Sequence, residues 1–595
     1  MPLIPFHSRR VREMLSQRES FAADIVFLLI ISAGVGVLLL LGKQVARPYQ
    51  STVVISLSYF ALVRYTLLSL GRGFGAYVLS LIFTLVYGTF AAHNRRAEKV
   101  MVPALDVLQA LPVLAFMPGV VLTMVSLFPT RELGLEIACI IMIFTAQAWN
   151  MTFSFHGSLR GIPQPLREVA AIQRLSGWQV FKLLEVPAAM IGLVWNSMMS
   201  MAGGWFFLSV EEAFTLGKRD FRLPGIGSYM QEAIDKHNHH AQFAAVVAMM
   251  LMIVLVDQVL WRPLVVWSQR FKLEDIQSDP PQSWVLSIIR RSNIYGILQR
   301  LFTRHEPETA KEADDDTPPA SVRSAPRPTN GAARQWFVHL RAAGTWIGLT
   351  ALAFLGVLGG WHLVELLLKV PLYGSPDHYD WVHVPLALLA SFARTSAAVL
   401  LGAAWTLPVG IIIGRSHRLA ERLQPVIQAV ASFPAPMLFP LVTAALLLLH
   451  VPFTIGCVAL MLLGAQWYIL FNVIAGATAI PNDLEEVSDV YRMSRWQCWT
   501  QLYIPCVFPY LVTGLITAMG GAWNATIVSE YVLLPNQAPH VAFGLGSMIS
   551  VATNDGNYSL LAAGAVTMAF FVVLLNRVLW KRLYHLAETR FSINV

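Results

Sequence analysis

Twelve runs of mostly apolar residues constrain this chain more than any other feature. They lie at 22–42, 74–92, 104–127, 134–156, 188–210 and 243–266 in the first half. In the second half they lie at 346–368, 386–413, 426–449, 452–474, 507–529 and 559–580. About 20 residues of α-helix cross a hydrocarbon layer, and only helices or closed barrels satisfy their backbone polar groups there. The expected fold class is therefore all-α: a polytopic membrane protein with 12 transmembrane helices. Composition agrees, since 56% of the 595 residues are hydrophobic and 13% are charged, against roughly 25% charged in soluble domains. A soluble enzyme, a disordered scaffold and a disulfide-rich secreted module are excluded. The stretch 53–70 is also apolar but is interrupted by Arg64 and flanked by Arg72. An unpaired Arg at mid-bilayer costs ~3 kcal/mol or more, so this stretch is expected to lie along the outer interface.

Basic residues set the orientation. Arg95, Arg96 and Lys99, then Arg415, Arg418 and Arg422, follow runs that should end inside, as do the polar loops 157–186 and 476–505. Cytoplasmic loops carry the Lys and Arg excess. The net charge of +8 therefore reads as membrane topology and not as nucleic-acid binding. Arg9, Arg10, Arg12 and Arg18 precede the run Ile25–Leu41 with no small-residue cleavage site after it, so a retained first helix is expected. Both termini come out cytoplasmic in this multi-pass protein. Residues 269–344 form a linker. Within it, 284–302 reads as a basic amphipathic helix on the membrane surface, and the Pro-rich, apolar-poor 306–334 as a disordered tether. The four cysteines have neither zinc nor disulfide spacing.

The two halves repeat. An offset of 318 pairs Glu168 with Glu486, Trp178-Gln179 with Trp496-Gln497, Pro187 with Pro505, Trp205 with Trp523 and Glu212 with Glu530. An offset of 319 pairs Ala146-Gln147 with Ala465-Gln466, and Gly225-x-Gly227-Ser228 with Gly544-x-Gly546-Ser547. An offset of 322 pairs Arg72 with Arg394, Pro103 with Pro425 and Pro112 with Pro434. Chance similarity among Leu and Val would not hold register through rare Trp, Pro and Glu. The chain is expected to be two parallel six-helix repeats, 1–268 and 345–595, about an axis along the membrane normal and enclosing a central pathway.

Each repeat carries a polar segment between its fourth and fifth spans. In each, Ile-Pro (Pro163, Pro481) opens a Glu-bearing helical stretch, a Ser-x-Trp-Gln turn follows, and an apolar-Pro pair enters the next span. Proline suits a helix start, where its missing N–H costs nothing. The helix is expected to end in that turn and the chain to restart at Pro187 and Pro505, leaving one short cytoplasmic helix per half.

These segments resemble the EAA loop of permeases in binding-protein-dependent ABC importers, and the whole is most similar to the nitrate/sulfonate/taurine branch. The resemblance covers about 60–268 and 383–587 and implies a type I importer permease fold. It also implies coupling helices that dock on ATP-binding subunits, with Glu168 and Glu486 in the motif-Glu role. Two ATPase copies would dock at 158–178 and 477–496, touching Glu168, Ala170, Arg174 and Trp178 in one copy and Glu486, Ser488, Arg492 and Trp496 in the other. A periplasmic binding protein would deliver substrate. Two departures stand out. The Ala-Ala pair is Val169-Ala170 and Val487-Ser488, and the motif Gly is replaced by Arg174 and Arg492.

No phosphate-binding loop is present, because Gly42-Lys43 and Gly217-Lys218 lack both the upstream Gly and the Ser/Thr. No cofactor is expected in this chain. The resemblance implies that ATP and Mg belong to a partner subunit, and the protein is expected to be a transport subunit rather than an enzyme. The fifth spans are rich in small residues that let helices approach closely. Their shared ends offer candidate pathway residues: Trp205, Ser209 and Glu212, and Trp523, Asn524 and Glu530. Read structurally, the same residues are an interfacial Trp belt and water-facing helix-end carboxylates. Gln147 and Gln466 either line the pathway or bond neighbouring helices. His237-Asn238-His239-His240 reads as polar loop rather than metal site. Asp257 faces Asn576 in the repeat, so it is not a duplicated proton relay. The alternative is a major-facilitator secondary transporter. It predicts short inner loops after the fourth spans and buried charge pairs for proton coupling.

Overall fold

The computed structural model describes residues 53–110, 112–128, 133–216, 219–271, 357–374, 379–534 and 538–591. The expected span 22–42, the linker features at 284–302 and 306–334, the two termini and the start of the span 346–368 lie outside the described residues.

The first half runs through α1 (Tyr59–His93), α2 (Arg95–Ala110), α3 (Val113–Leu127), α4 (Leu133–Arg160), α5 (Gln164–Ile172) and α6 (Gly177–Glu211). It continues through a hairpin of β1 (Ala213–Leu216) and β2 (Arg219–Arg222), then α7 (Ile226–Asp235) and α8 (His239–Phe271). The second half follows the same order. It has α9 (Val357–Leu368), α10 (Val384–Arg415), α11 (His417–Ala431), α12 (Phe439–Leu448), α13 (Phe453–Thr478), α14 (Asn482–Val490) and α15 (Arg495–Ser529). A hairpin of β3 (Tyr531–Val532) and β4 (His540–Val541) leads to α16 (Leu545–Asp555) and α17 (Tyr558–Ala587). Both hairpins are antiparallel, pairing Ala213 with Arg222 and Tyr531 with Val541. They add small strands that an all-α expectation lacks.

Eight helices among the described residues are long and apolar enough to cross a membrane: α1, α4, α6, α8, α10, α13, α15 and α17. Three features differ from the expected spans, each for a local reason. Residues 59–70 are not a separate interfacial helix. They are the first turns of α1, which Ser58 caps by accepting the Ala61 N–H at 3.2 Å. Arg72 does not stop this helix because it is buried among carboxylates. The runs 104–127 and 426–449 are not straight spans. Pro112 and Pro434 take the same extended conformation (φ −69°, ψ 106° and φ −68°, ψ 106°) and break them. At Pro434 the axis turns by 75°. A proline ring disfavours helix in the residue before it and removes one backbone donor.

The third difference is that the chain does not restart at Pro187 and Pro505. Both lie inside α6 and α15, just after a wide π-type turn at Phe181–Glu185 and Cys498–Tyr503. There the Val186 N–H reaches back to the Phe181 carbonyl. The wider turn makes room for the ring, a usual way for a helix to absorb proline. A matching pair of π-type turns sits at Asp257–Trp261 and Asn576–Trp580.

Helix α4 packs between α1 and α6, and α13 between α10 and α15. The halves interlock in a reciprocal way. Helix α3 lies against α15, while the single-turn helix Ala435–Leu438 lies against α6. Helix α17 meets α2, while α8 meets α11. One continuous apolar core containing Met201, Trp205, Trp523 and Met568 runs through both halves.

Candidate functional site

Two short helices, α5 and α14, are built alike. Each follows a proline (Pro163, Pro481) that ends an extended entry. Each ends in the same reverse turn. The Arg174 N–H bonds the Ala171 carbonyl at 3.0 Å and the Leu175 N–H bonds the Ala170 carbonyl at 3.1 Å. Arg492 to Asp489 and Met493 to Ser488 repeat this at 3.0 Å each. This is the Schellman pattern, whose pivot residue is left-handed and usually Gly. Arg174 and Arg492 occupy the pivot with φ of 50° and 51°. The geometry explains why the resembled pattern has Gly here, and it is kept in both copies with Arg in its place.

The Ser-x-Trp-Gln turn proves to be the start of the next helix. The Ser176 hydroxyl accepts the Gln179 N–H while the Gln179 side chain accepts the Ser176 N–H, and Ser494 and Gln497 do the same. Such a capping box satisfies two donors that a helix start leaves bare. The spacing thus serves backbone geometry and holds Trp178 and Trp496 out from the turn.

The two helices divide their faces alike. Ala170 and Ser488 are buried against the bundle, whereas Glu168, Glu486, Arg174 and Arg492 are exposed. Apolar side chains stand beside the glutamates: Val169, Ile172 and Trp178 on one copy, Val487, Val490, Tyr491 and Trp496 on the other. Trp178 and Trp496 are 71% and 76% exposed. Exposed tryptophan amid apolar residues marks a surface built for contact. Each helix is also tied to its own bundle at one position. Arg167 donates to the Leu159 carbonyl at 2.5 Å. Its counterpart Glu485 pairs with Arg415 and accepts the Tyr503 hydroxyl at 3.2 Å.

At the other end of the fifth helices the structure corrects the expected exposure. Glu212 and Glu530 are fully buried and are not water-facing helix ends. Glu212 receives Arg72 at 2.6 Å, the Ser69 hydroxyl at 2.6 Å and the Gly227 N–H at 2.8 Å. Ser69 in turn accepts the Ile226 N–H at 3.0 Å. Glu530 receives Arg394 at 2.7 Å, Ser391 at 2.8 Å and the Gly546 N–H at 3.0 Å. Ser391 accepts the Leu545 N–H at 2.8 Å. A buried ion pair persists only when its remaining lone pairs are satisfied, and both clamps meet that condition. The Gly225-x-Gly227 and Gly544-x-Gly546 repeats follow from this geometry, because a Cβ at 225 or 544 would run into the carboxylate. Arg72 is additionally forked by Glu136 at 2.6 and 2.7 Å. Glu211 is buried where the second half has Ser529.

Sequence reasoning missed Ser69, Ser391 and Glu136, and took Arg72 as a liability. The signal was present in the repeated Ser-x-x-Arg (Ser69 and Arg72, Ser391 and Arg394) beside the repeated Glu and Gly-x-Gly.

Of the other candidate pathway residues, Trp205, Trp523 and Gln147 are buried, whereas Ser209, Gln466 and Asn524 are half-buried. Trp205 and Trp523 are 2% and 0% exposed and belong to the core. This rules out an interfacial belt for both. Trp523 meets Phe571 edge-on at 5.7 Å. Gln147 is buried, accepting the Ser80 hydroxyl at 3.5 Å and reaching the Met201 sulfur at 3.5 Å, which links α1, α4 and α6. Gln466 accepts the Trp405 indole N–H at 3.0 Å, joining α13 to α10. Ser209 donates to the Phe206 carbonyl at 2.8 Å, and Asn524 to the Gly520 carbonyl at 3.1 Å. In the histidine-rich loop, Asn238 caps α8 by accepting the Ala241 N–H at 3.0 Å. Asp257 lies 3.7 Å from Arg262 and accepts from Gln258 at 3.0 Å.

The model of the binding-protein-dependent transport system inner membrane component matches residues 84–260 and again 406–592, over half the chain. The chain belongs to that family. Among its relatives, a nitrate import permease of Leptolyngbya laminosa is 26% identical over 242 residues, 38% of this chain and 83% of the relative. A bicarbonate transport system permease of Synechococcus elongatus is 29% identical over 145 residues, 24% of this chain and 51% of the relative. A probable ABC transporter permease of Brucella melitensis is 21% identical over 242 residues, 40% of this chain and 94% of the relative. The double match makes this a duplicated permease of the ABC importer family, multi-pass in the inner membrane. Permeases are transport components rather than enzymes, and membership implies ATPase and substrate-binding partners.

Proposed function

We propose that this chain supplies both transmembrane halves of an importer for a small anion. Helices α5 and α14 are the points where ATP-binding subunits push on it. The observation that carries the reading is the duplicated construction of these helices. The same caps at both ends hold the same exposed Glu, apolar and Trp residues in register. Two ATPase subunits per chain follow from two such surfaces, with ATP and Mg held by those subunits. A periplasmic binding protein delivers the solute. The reciprocal contacts of α8 with α11 and α17 with α2 fit two parallel repeats that rock about an axis along the membrane normal. Gln147, Trp205, Ser209, Glu212, Gln466, Trp523, Asn524 and Glu530 then hold the helices that wall the pathway. In this reading most of them position helices and do not touch the solute.

Nitrate and bicarbonate, which appear in the names of two relatives, support the small-anion reading. The facilitator alternative has no support in the family match. The test is uptake into proteoliposomes containing the chain with its co-purified ATPase and a binding protein. Uptake of labelled nitrate or bicarbonate that requires internal or external ATP on the ATPase side supports the proposal. Uptake driven by an ion gradient without ATP overturns it.

A further inference from the structure

The two docking faces share a common footprint but differ in charge. Over 164–183, Arg167, Arg174 and Lys182 against Glu168 leave a balance of +2. Over the matching 482–501, Arg492 and Arg495 against Asp483, Glu485, Glu486 and Asp489 leave −2. Arg167 and Glu485 are spent on the tethers described above. What remains on α14 is a line of three exposed carboxylates, Asp483, Glu486 and Asp489, spaced at three residues and so sharing one side of the helix. On α5 the same positions are Pro165, Glu168 and Ala171, all exposed.

Helix stability does not account for this line. Asp483 stands in the first turn, where a carboxylate favours the helix. Asp489 stands in the last turn, where the carbonyl ends make a carboxylate unfavourable. Neither Asp483 nor Asp489 belongs to the tether or the reverse turn through its side chain. Asp489 works against its own helix, which points to a use outside it.

We infer that the second docking face is read by an apolar groove with a basic rim, so that the ATP-binding subunit seated on α14 is held partly by charge while the one on α5 is held chiefly by apolar contact. This rests on the docking reading of α5 and α14 proposed above. Exposed charge pairs are screened by salt and buried apolar contact is not. The two seats therefore differ in salt sensitivity even when the two ATP-binding subunits are the same polypeptide.

The experiment uses the full complex of the chain with its co-purified ATP-binding subunits, weighed intact after equilibration from about 50 mM to about 0.5 M salt. The expected result is stepwise loss, with a one-to-one species at intermediate salt. In Asp483→Asn/Asp489→Ala the second seat should bind roughly 2- to 30-fold more weakly at low salt, the range two exposed charge contacts supply, and its salt dependence should flatten. In Pro165→Asp/Ala171→Asp the first seat should become salt-labile as well. Circular dichroism of each purified variant separates misfolding from altered docking. Loss of both subunits at one salt concentration, unmoved by either variant, overturns the inference and leaves docking intact. A chain that carries no ATP-binding subunit even at low salt overturns the docking reading, and this inference with it.

Discussion

At the scale of single residues, positions that look like departures or liabilities carry much of the account. Arg174 and Arg492 sit where a side chain strains the backbone, since a left-handed L-residue costs roughly 1–2 kcal/mol. Replacing either with Gly should raise stability by about 0.5–1 kcal/mol, read as a higher unfolding midpoint of the purified chain. A lower midpoint would mean that the arginine side chains make compensating contacts with the bundle. Arg72 is the reverse case, a buried charge held by Glu136 and Glu212. Glu212→Gln should cost about 3–5 kcal/mol by leaving Arg72 under-neutralised. The pair Arg72→Leu/Glu212→Leu should cost less than the two single changes together. A double-mutant cycle in denaturant unfolding checks this, and simple additivity would argue against the clamp. None of these partnerships was legible locally. Glu136 and Glu212 lie 64 and 140 residues from Arg72, and only the parallel repetition of Arg, Glu and Gly-x-Gly hinted that they meet.

Elements were legible wherever a local rule decided them. The long apolar helices fall where apolar length places them, and the short helices after Pro163 and Pro481 fall where proline starts a helix. The failures also have local causes. Apolar content does not distinguish a straight span from one broken at Pro112 or Pro434. A proline after a π-type turn, as at Pro187, looks in sequence like a boundary although the helix passes through it. Ser-x-Trp-Gln read as a turn because its hydrogen bonds close a helix start rather than a loop. Removing that cap with Ser176→Ala or Ser494→Ala should cost about 1 kcal/mol. It should also increase amide exchange around Trp178 or Trp496, with little effect at the outer clamps. Exchange that rises equally at both ends would show that α6 and α15 respond as single rigid rods.

At the scale of the whole molecule, one polypeptide carries two copies of a unit that elsewhere in the family occurs in shorter permeases. The copies hold onto each other through reciprocal contacts of α3 with α15 and of Ala435–Leu438 with α6. The clamps tie one end of each fifth helix to α7 or α16, and α5 and α14 sit at its other end. Under the proposed function, motion imposed on the short helices would reach the clamps through one continuous helix per half. Reversing charge at one face alone, as in Glu168→Lys, should lower transport at least about tenfold, because a rocking mechanism needs both halves driven. Half-maximal transport would instead show two independently working halves.

The central claim is that this chain docks two ATP-binding subunits through α5 and α14. The most direct test is the intact mass of the complex taken from native membranes, measured for the natural chain and for Trp178→Glu/Trp496→Glu, which puts a charge into the exposed apolar contact of both faces. The expected result is one chain with two ATP-binding subunits, and the bare chain for the doubly substituted variant. A doubly substituted chain that still carries both subunits would contradict the docking claim.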